Sequence, residues 1–212
     1  MDRISWIFFD IGSTLVDESE CYRARVMEMI RGSDVTYEEF TGKMLSYYKS
    51  NGKGDRLAAA HYGFTLPEWN SDLEILYPEA RECLERLHGR YRLGIIANQN
   101  PGTAERLKKF GISGFFDVIV ASAEEGVAKP DPAIFLLALK KAVCRAEDAV
   151  MIGDRLDNDI APAKALGMRT IRVLQGYGRY CVPTCKAEMP DYSVSSLSEI
   201  CRILKKKRCA IQ

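Results

Sequence analysis

Ile4-Ser5-Trp6-Ile7-Phe8-Phe9-Asp10-Ile11-Gly12-Ser13-Thr14-Leu15 sets an aspartate at the exit of an apolar run, followed at once by glycine and small hydroxyl residues. A carboxylate in that place is desolvated unless a cation meets it. Open α/β sheets put their ligand sites at the carboxyl ends of such strands. Taken alone, Asp10 reads equally well as an ordinary strand-to-turn residue. Two later segments change that. Val127-Ala128-Lys129-Pro130-Asp131-Pro132 holds a lysine just before a helix start. Val150-Met151-Ile152-Gly153-Asp154-Arg155-Leu156-Asp157-Asn158-Asp159 is a second apolar run ending in acids.

Outward from these stretches, the chain alternates from about Tyr91 onward. Arg92 to Ala97, Phe116 to Ala121, Ala149 to Ile152 and Arg169 to Val173 read as strands. Between them, Pro101 to Phe110, Pro132 to Val143 and Asp157 to Leu166 read as helices, with Asp157 as an N-cap. Proline at helix starts and glycine (Gly111, Gly167) just past helix ends are the expected punctuation. Such alternation implies a mostly parallel sheet with helices on both faces, an α/β Rossmann-like core.

Residues 16–77 break the pattern. Glu20 to Arg31, Tyr37 to Lys49 and Arg56 to Tyr62 look helical, joined by polar turns, and no parallel-type strand lies between them. The division is therefore a core of residues 1–15 and 78–212 with a small helical insertion at 16–77, either a cap or a fixed layer on the sheet.

The chain has 212 residues and 47% apolar composition, enough for one good core and a small second one. Its net charge of +1 gives no push toward nucleic acid or membrane, and no run approaches the roughly 18 apolar residues of a membrane span. The N-terminal residues lack a signal-peptide pattern. Seven scattered cysteines read as reduced thiols, so the expectation is a cytoplasmic protein for which a monomer is reasonable. Cys181 and Cys185, with Cys201 and Cys209, form a weak metal-ligand pattern because the gap is unusual and no histidine is near. Lys205 to Arg208 reads as a solvated helix end, and His61 and His88 as packing histidines.

The order of the three motifs, Asp10, then Lys129, then Asp154 with Asp159, resembles the haloacid dehalogenase-like (HAD) hydrolase superfamily over nearly the whole chain. The resemblance implies that Asp10 is a nucleophile carrying an aspartyl-phosphate, a recognised route for carboxylates. It implies that residues 16–77 are a mobile cap that selects a small phosphorylated substrate. Magnesium, which prefers oxygen ligands, would sit on Asp10, Asp154, Asp159 and the Gly12 carbonyl. Lys129 would balance the remaining charge, since three carboxylates need one lysine and one divalent ion. The phosphoryl group would meet Ile11, Gly12, Ala97, Asn98 and Lys129.

Two positions depart from the family pattern. Gly12 stands where most family phosphatases carry a second aspartate as general acid and base, a role worth about 10²–10⁴-fold. Ala97 stands where Ser or Thr usually bonds the phosphoryl group, leaving Asn98 or Gln99 as replacement donors. Gly12 restricts the reaction to leaving groups that depart without a proton, such as aryl or acyl phosphates. A dehalogenase fits poorly, because that chemistry places Tyr at position 12 and uses no metal. The residues leave two readings open: a magnesium-dependent hydrolase of phosphatase type, and a non-catalytic protein that binds a phosphate ligand.

Overall fold

The computed structural model describes residues 4–204. In chain order the first half holds β1 (Trp6–Phe9), β2 (Val16–Asp17), α1 (Ser19–Met29), α2 (Tyr37–Lys49), α3 (Gly54–Tyr62), β3 (Ile75–Leu76) and α4 (Ala80–Leu87). The second half holds β4 (Arg92–Ala97), α5 (Thr103–Lys109), β5 (Val118–Ala121), α6 (Ser122–Glu125), α7 (Pro132–Ala142), β6 (Ala149–Gly153), α8 (Ala161–Ala165), β7 (Arg169–Val173), β8 (Tyr192–Val194) and α9 (Leu197–Ile203).

Six strands form one sheet in the order β5-β4-β1-β6-β7-β8, and every neighbouring pair is parallel. Side chains alternate across a strand. Ile7 and Phe9 accordingly join Leu93, Ile95, Val150 and Ile152 beneath α4 and α9. Trp6 and Phe8 face the other way, with Ile96, Met151, Ile134 and Phe135 beneath α7. Burial on both faces explains why β1 reads as a continuous apolar run. The chain is thus an α/β Rossmann-like fold, and β1, at the centre, delivers Asp10 between β4 and β6.

Between β2 and β3, which pair antiparallel, lie α1, α2 and α3. Their sequence carries its own stops and starts. Thr36 and Glu39 form a capping box ahead of α2, and α3 ends on Gly63 at φ +72°. Val26, Phe40, Met44, Tyr48 and Ala58 make a separate apolar cluster that rests on Leu156, Ile160 and Cys181 of the core.

Some expectations are corrected. α5 starts at Thr103, after Gly102 at φ +89°, and not at Pro101. The segment after Asp154 is not one helix capped by Asp157. Leu156–Ile160 is a π-helical turn, followed by α8. Pro162 has no N–H to continue the α ladder from that turn, which accounts for the break. The Asp157 carboxylate instead forks onto the Arg155 guanidinium at 2.9 and 2.8 Å.

Among the described residues the weak cysteine pattern does not gather into a metal-ligand group: Cys181 is buried, Cys185 is exposed, and Cys201 lies 3.9 Å from Cys83, sulfur to sulfur. Cys209 and Lys205 to Arg208 lie outside the described residues. Among the described residues, no helix is long and apolar enough to cross a membrane.

Candidate active site

Three strand ends converge. The Asp10 amide donates to the Ile152 carbonyl at 2.8 Å, extending the β1–β6 ladder one step past the strand. The chain then reverses as the Ile11 carbonyl accepts from the Thr14, Leu15 and Val16 amides. Ser13, inside this turn, sits at φ +53°, a left-handed conformation that serine rarely adopts. At the end of β4, Ala97 is buried and Asn98 clamps the main chain of Lys129: its Oδ1 accepts from the Lys129 amide at 2.7 Å and its Nδ2 donates to the Lys129 carbonyl at 2.8 Å.

That clamp aims Lys129. Its ammonium lies 2.8 Å from Asp10 Oδ1 and 2.5 Å from Asp159 Oδ1. Asp159 gives its other oxygen to the Arg155 amide at 3.0 Å. Close approach demands glycine at two points. A Cβ on Gly153 would lie 2.4 Å from the Asp159 carboxyl carbon, and one on Gly178 would lie 2.1 Å from Asp154 Oδ2. Arg172, buried on β7, ties these parts together by donating to the carbonyls of Asp154 (3.1 Å), Gly178 (2.6 Å) and Cys181 (2.9 Å).

Burial of so much charge shifts its chemistry. Burial works against the Lys129 cation, but the Asp10 and Asp159 charges overcome it and hold the pKa above the ordinary range. Burial raises Asp159 to about 6 against the pull of Lys129. Asp154 is pushed well above the carboxylate range by burial, with Asp159 and Asp10 adding to it. One oxygen from each of Asp10, Asp154 and Asp159 falls within 4.8 Å of the others. This all-oxygen donor set suits a hard divalent cation, which would remove the conflict that raises Asp154. Because both Asp159 oxygens are engaged, Asp10 and Asp154 are the freer pair.

A cavity of ≈ 180 Å³ opens over these groups, lined by Asp10, Gly12, Lys129 and Asp154 together with Glu18, Tyr48 and Tyr177. Asn98 and Gln99 line it too, whereas Ala97, Asp159 and Ile11 are buried and do not line it, Ala97 and Ile11 being part of the apolar core. Of the side chains on α1 of the insertion, Tyr22 lines the cavity, and Arg25 faces an adjoining groove where its guanidinium lies over the Trp69 ring. Cys21 is buried and Arg23 pairs with Glu20 at the surface. Sequence reasoning missed Glu18, whose carboxyl accepts from Ser13 Oγ at 2.9 Å and is raised to about 8, mainly by burial and further by the Asp10 charge.

Comparison with known proteins agrees with this geometry. Residues 4–167 match the haloacid dehalogenase-like hydrolase family. A glyceraldehyde 3-phosphate phosphatase from Pyrococcus furiosus is 33% identical over 98% of this chain and 95% of its own length. One of the same description from Methanocaldococcus jannaschii is 32% identical over 95% of this chain and 97% of its own. Among solved structures, the putative HAD-hydrolase YfnB of Bacillus subtilis, bound to magnesium, superposes with a TM-score of 0.73 at 20% identity. That match covers 96% of this chain and 99% of the other.

The chain belongs to the HAD-like hydrolase family.

As a HAD-type hydrolase it is unusual at the two positions that the sequence marked. The Asn98 amide serves Lys129, so one of the two replacement donors considered for the phosphoryl group is already occupied in positioning the lysine. Gln99 lines the cavity, with its side-chain oxygen turned to Arg106. At Gly12, the space above the Cα is filled: an ideal Cβ there would lie 2.4 Å from Glu18 Oε1.

Proposed function

We propose that this HAD-type hydrolase is a magnesium-dependent phosphatase of small phosphorylated molecules that works through an aspartyl-phosphate on Asp10. The observation that carries the reading is the Lys129 ammonium set between Asp10 and Asp159, with Asp154 beside them. A magnesium ion held by Asp10, Asp154 and the Gly12 carbonyl, with Asp159 in support, would supply a Lewis acid for the phosphoryl oxygens.

The protein groups do the rest. Lys129 holds the Asp10 carboxylate in a single orientation, so that its free oxygen faces the cavity and attacks phosphorus in line with the leaving oxygen. The Lys129 charge and the main-chain N–H groups of Ile11 and Gly12 attract the anionic substrate. Water then cleaves the aspartyl-phosphate and restores Asp10. Residues 16–77 act as a cap: Tyr22 and Tyr48 roof the cavity, and the groove bearing Arg25, Lys53, Asp55 and Trp69 receives the rest of the molecule. The names of the relatives point to a triose phosphate or a molecule of similar size. Fold similarity alone does not favour phosphatase chemistry over other HAD chemistries; the acid set suited to a metal and the names of the relatives support it.

Hydrolysis of p-nitrophenyl phosphate and glyceraldehyde 3-phosphate with and without magnesium, beside Asp10→Asn, tests the reading. Magnesium-dependent turnover that Asp10→Asn abolishes is the expected result. Tight binding of a phosphate mimic with no turnover of any ester would instead establish the non-catalytic reading that Gly12 and Ala97 support.

A further inference from the structure

We infer that Glu18 is the proton donor that position 12 lacks, and that it protonates the leaving oxygen from the same volume that a second aspartate would occupy. The inference rests on the phosphatase reading above.

Three observations converge on it. The first is occupancy. A Cβ built on Gly12 would meet Glu18 Oε1 at 2.4 Å, its carboxyl carbon at 2.8 Å and Oε2 at 2.9 Å. A side chain six residues on thus fills the space over Gly12 with the functional group that an aspartate there would bring. The second is orientation. Ser13 Oγ donates to Oε2 at 2.9 Å, which fixes the plane of the carboxyl group.

The third is position along the substrate. Glu18 borders both the cavity of Asp10, Lys129 and Asp154 and the groove of Tyr22, Arg25 and Trp69. A phosphate monoester lying with its phosphoryl group at Asp10 and its organic part in the groove has its bridging oxygen at that junction. The other acids lining the cavity are Asp10 and Asp154, which the phosphatase reading already employs, and neither His61 nor His88 lines it.

The chemistry balances. As Asp10 bonds to phosphorus and the phosphorus–oxygen ester bond breaks, the electron pair passes to the leaving oxygen, which takes the Glu18 proton and departs as an alcohol. In the second step the Glu18 carboxylate takes a proton from the water that attacks the aspartyl-phosphate. Inorganic phosphate leaves, and both Asp10 and the Glu18 proton are restored. This removes the restriction to aryl and acyl phosphates that Gly12 implied on sequence grounds, and it extends the substrate class to alkyl phosphates.

The test compares kcat/KM for a panel of alkyl phosphates, including glyceraldehyde 3-phosphate, with that for p-nitrophenyl phosphate. Glu18→Gln preserves shape and can still accept from Ser13. It should lower the alkyl values about 10²–10⁴-fold, the range typical of acid–base assistance, and the nitrophenyl value far less, because nitrophenolate leaves without a proton. Gly12→Asp combined with Glu18→Ala, which removes the clash, should recover the alkyl values to within roughly tenfold of the parent. Equal losses on both substrate types, or none, would overturn the role of Glu18 while leaving the phosphatase reading intact. So would a parent enzyme that cleaves p-nitrophenyl phosphate but no alkyl phosphate. A parent enzyme that cleaves neither would overturn both.

Discussion

A lysine whose side chain is 1% exposed is tolerable because two carboxylates meet it, one of them fully buried. Removing one partner of such a cluster leaves buried charge uncompensated and typically costs about 3–5 kcal/mol. Lys129→Met should therefore lower the urea-unfolding free energy by about that amount at neutral pH, besides abolishing turnover. An unaltered unfolding midpoint would show that the acids are not ionised against it. Gly153 makes a related prediction through shape. Its Cβ-free face admits Asp159 to within 2.4 Å of where that atom would lie, so Gly153→Ala must push the carboxylate off its seat. Calorimetry should then show magnesium affinity about 10–100-fold weaker, the usual cost of disturbing a supporting partner of a metal site. The structure brings Asp10, Lys129, Asp154 and Asp159 together. In the sequence Asp10 and Asp154 stand at apolar strand ends and Lys129 just before a helix start, where a charge is conspicuous, whereas Asp159 is picked out only by the family resemblance. Glu18 was not, since its place over Gly12 depends on how the chain turns at Ser13.

At the scale of elements, the parallel strands declared themselves through continuous apolar runs, and β4 and β7 begin and end where the sequence placed them. The segment after β6 did not. Its helical pattern spans a π-helical turn that side-chain periodicity over so few residues does not separate from an α-helix. The short β2–β3 pair was likewise invisible, two residues a strand being too few for an alternation. Arg172 shows how a strand residue organises loops it does not belong to. Its three bonds to the carbonyls of Asp154, Gly178 and Cys181 join the end of β6 to the loop that passes over it. Arg172→Met leaves those carbonyls without the donor, at roughly 1–3 kcal/mol for each that stays buried. Amide hydrogen exchange across residues 176–181 should speed up while that of β1 stays slow. Uniform acceleration through the sheet would mean that Arg172 supports the whole fold and not this loop.

On the scale of the whole molecule, the insertion and the sheet bury an excess of acid between them, and folding is thereby coupled to pH. Glu18 moves from an ordinary value of 4.5 to about 8 and Asp159 from 3.8 to about 6, both mainly by burial. Both shifts are upward, so the folded protein keeps protons that the unfolded chain has released. Stability from these groups is therefore full below about pH 4 and declines as pH rises toward 8, the reverse of a salt-bridged carboxylate. Lys129, held above its ordinary 10.5, stays charged in both states over this window and does not contribute to the slope. In metal-free buffer, Glu18→Gln should gain stability over the parent as pH increases from 5 to 8.5, because its amide has no proton to lose. Urea-unfolding free energies of the two proteins at several pH values measure that difference directly. Magnesium should narrow it, by favouring the deprotonated acids of the folded state and offsetting their mutual repulsion. A parent and variant that differ equally at every pH would show that the Glu18 carboxyl is not held protonated by its burial between the insertion and the sheet.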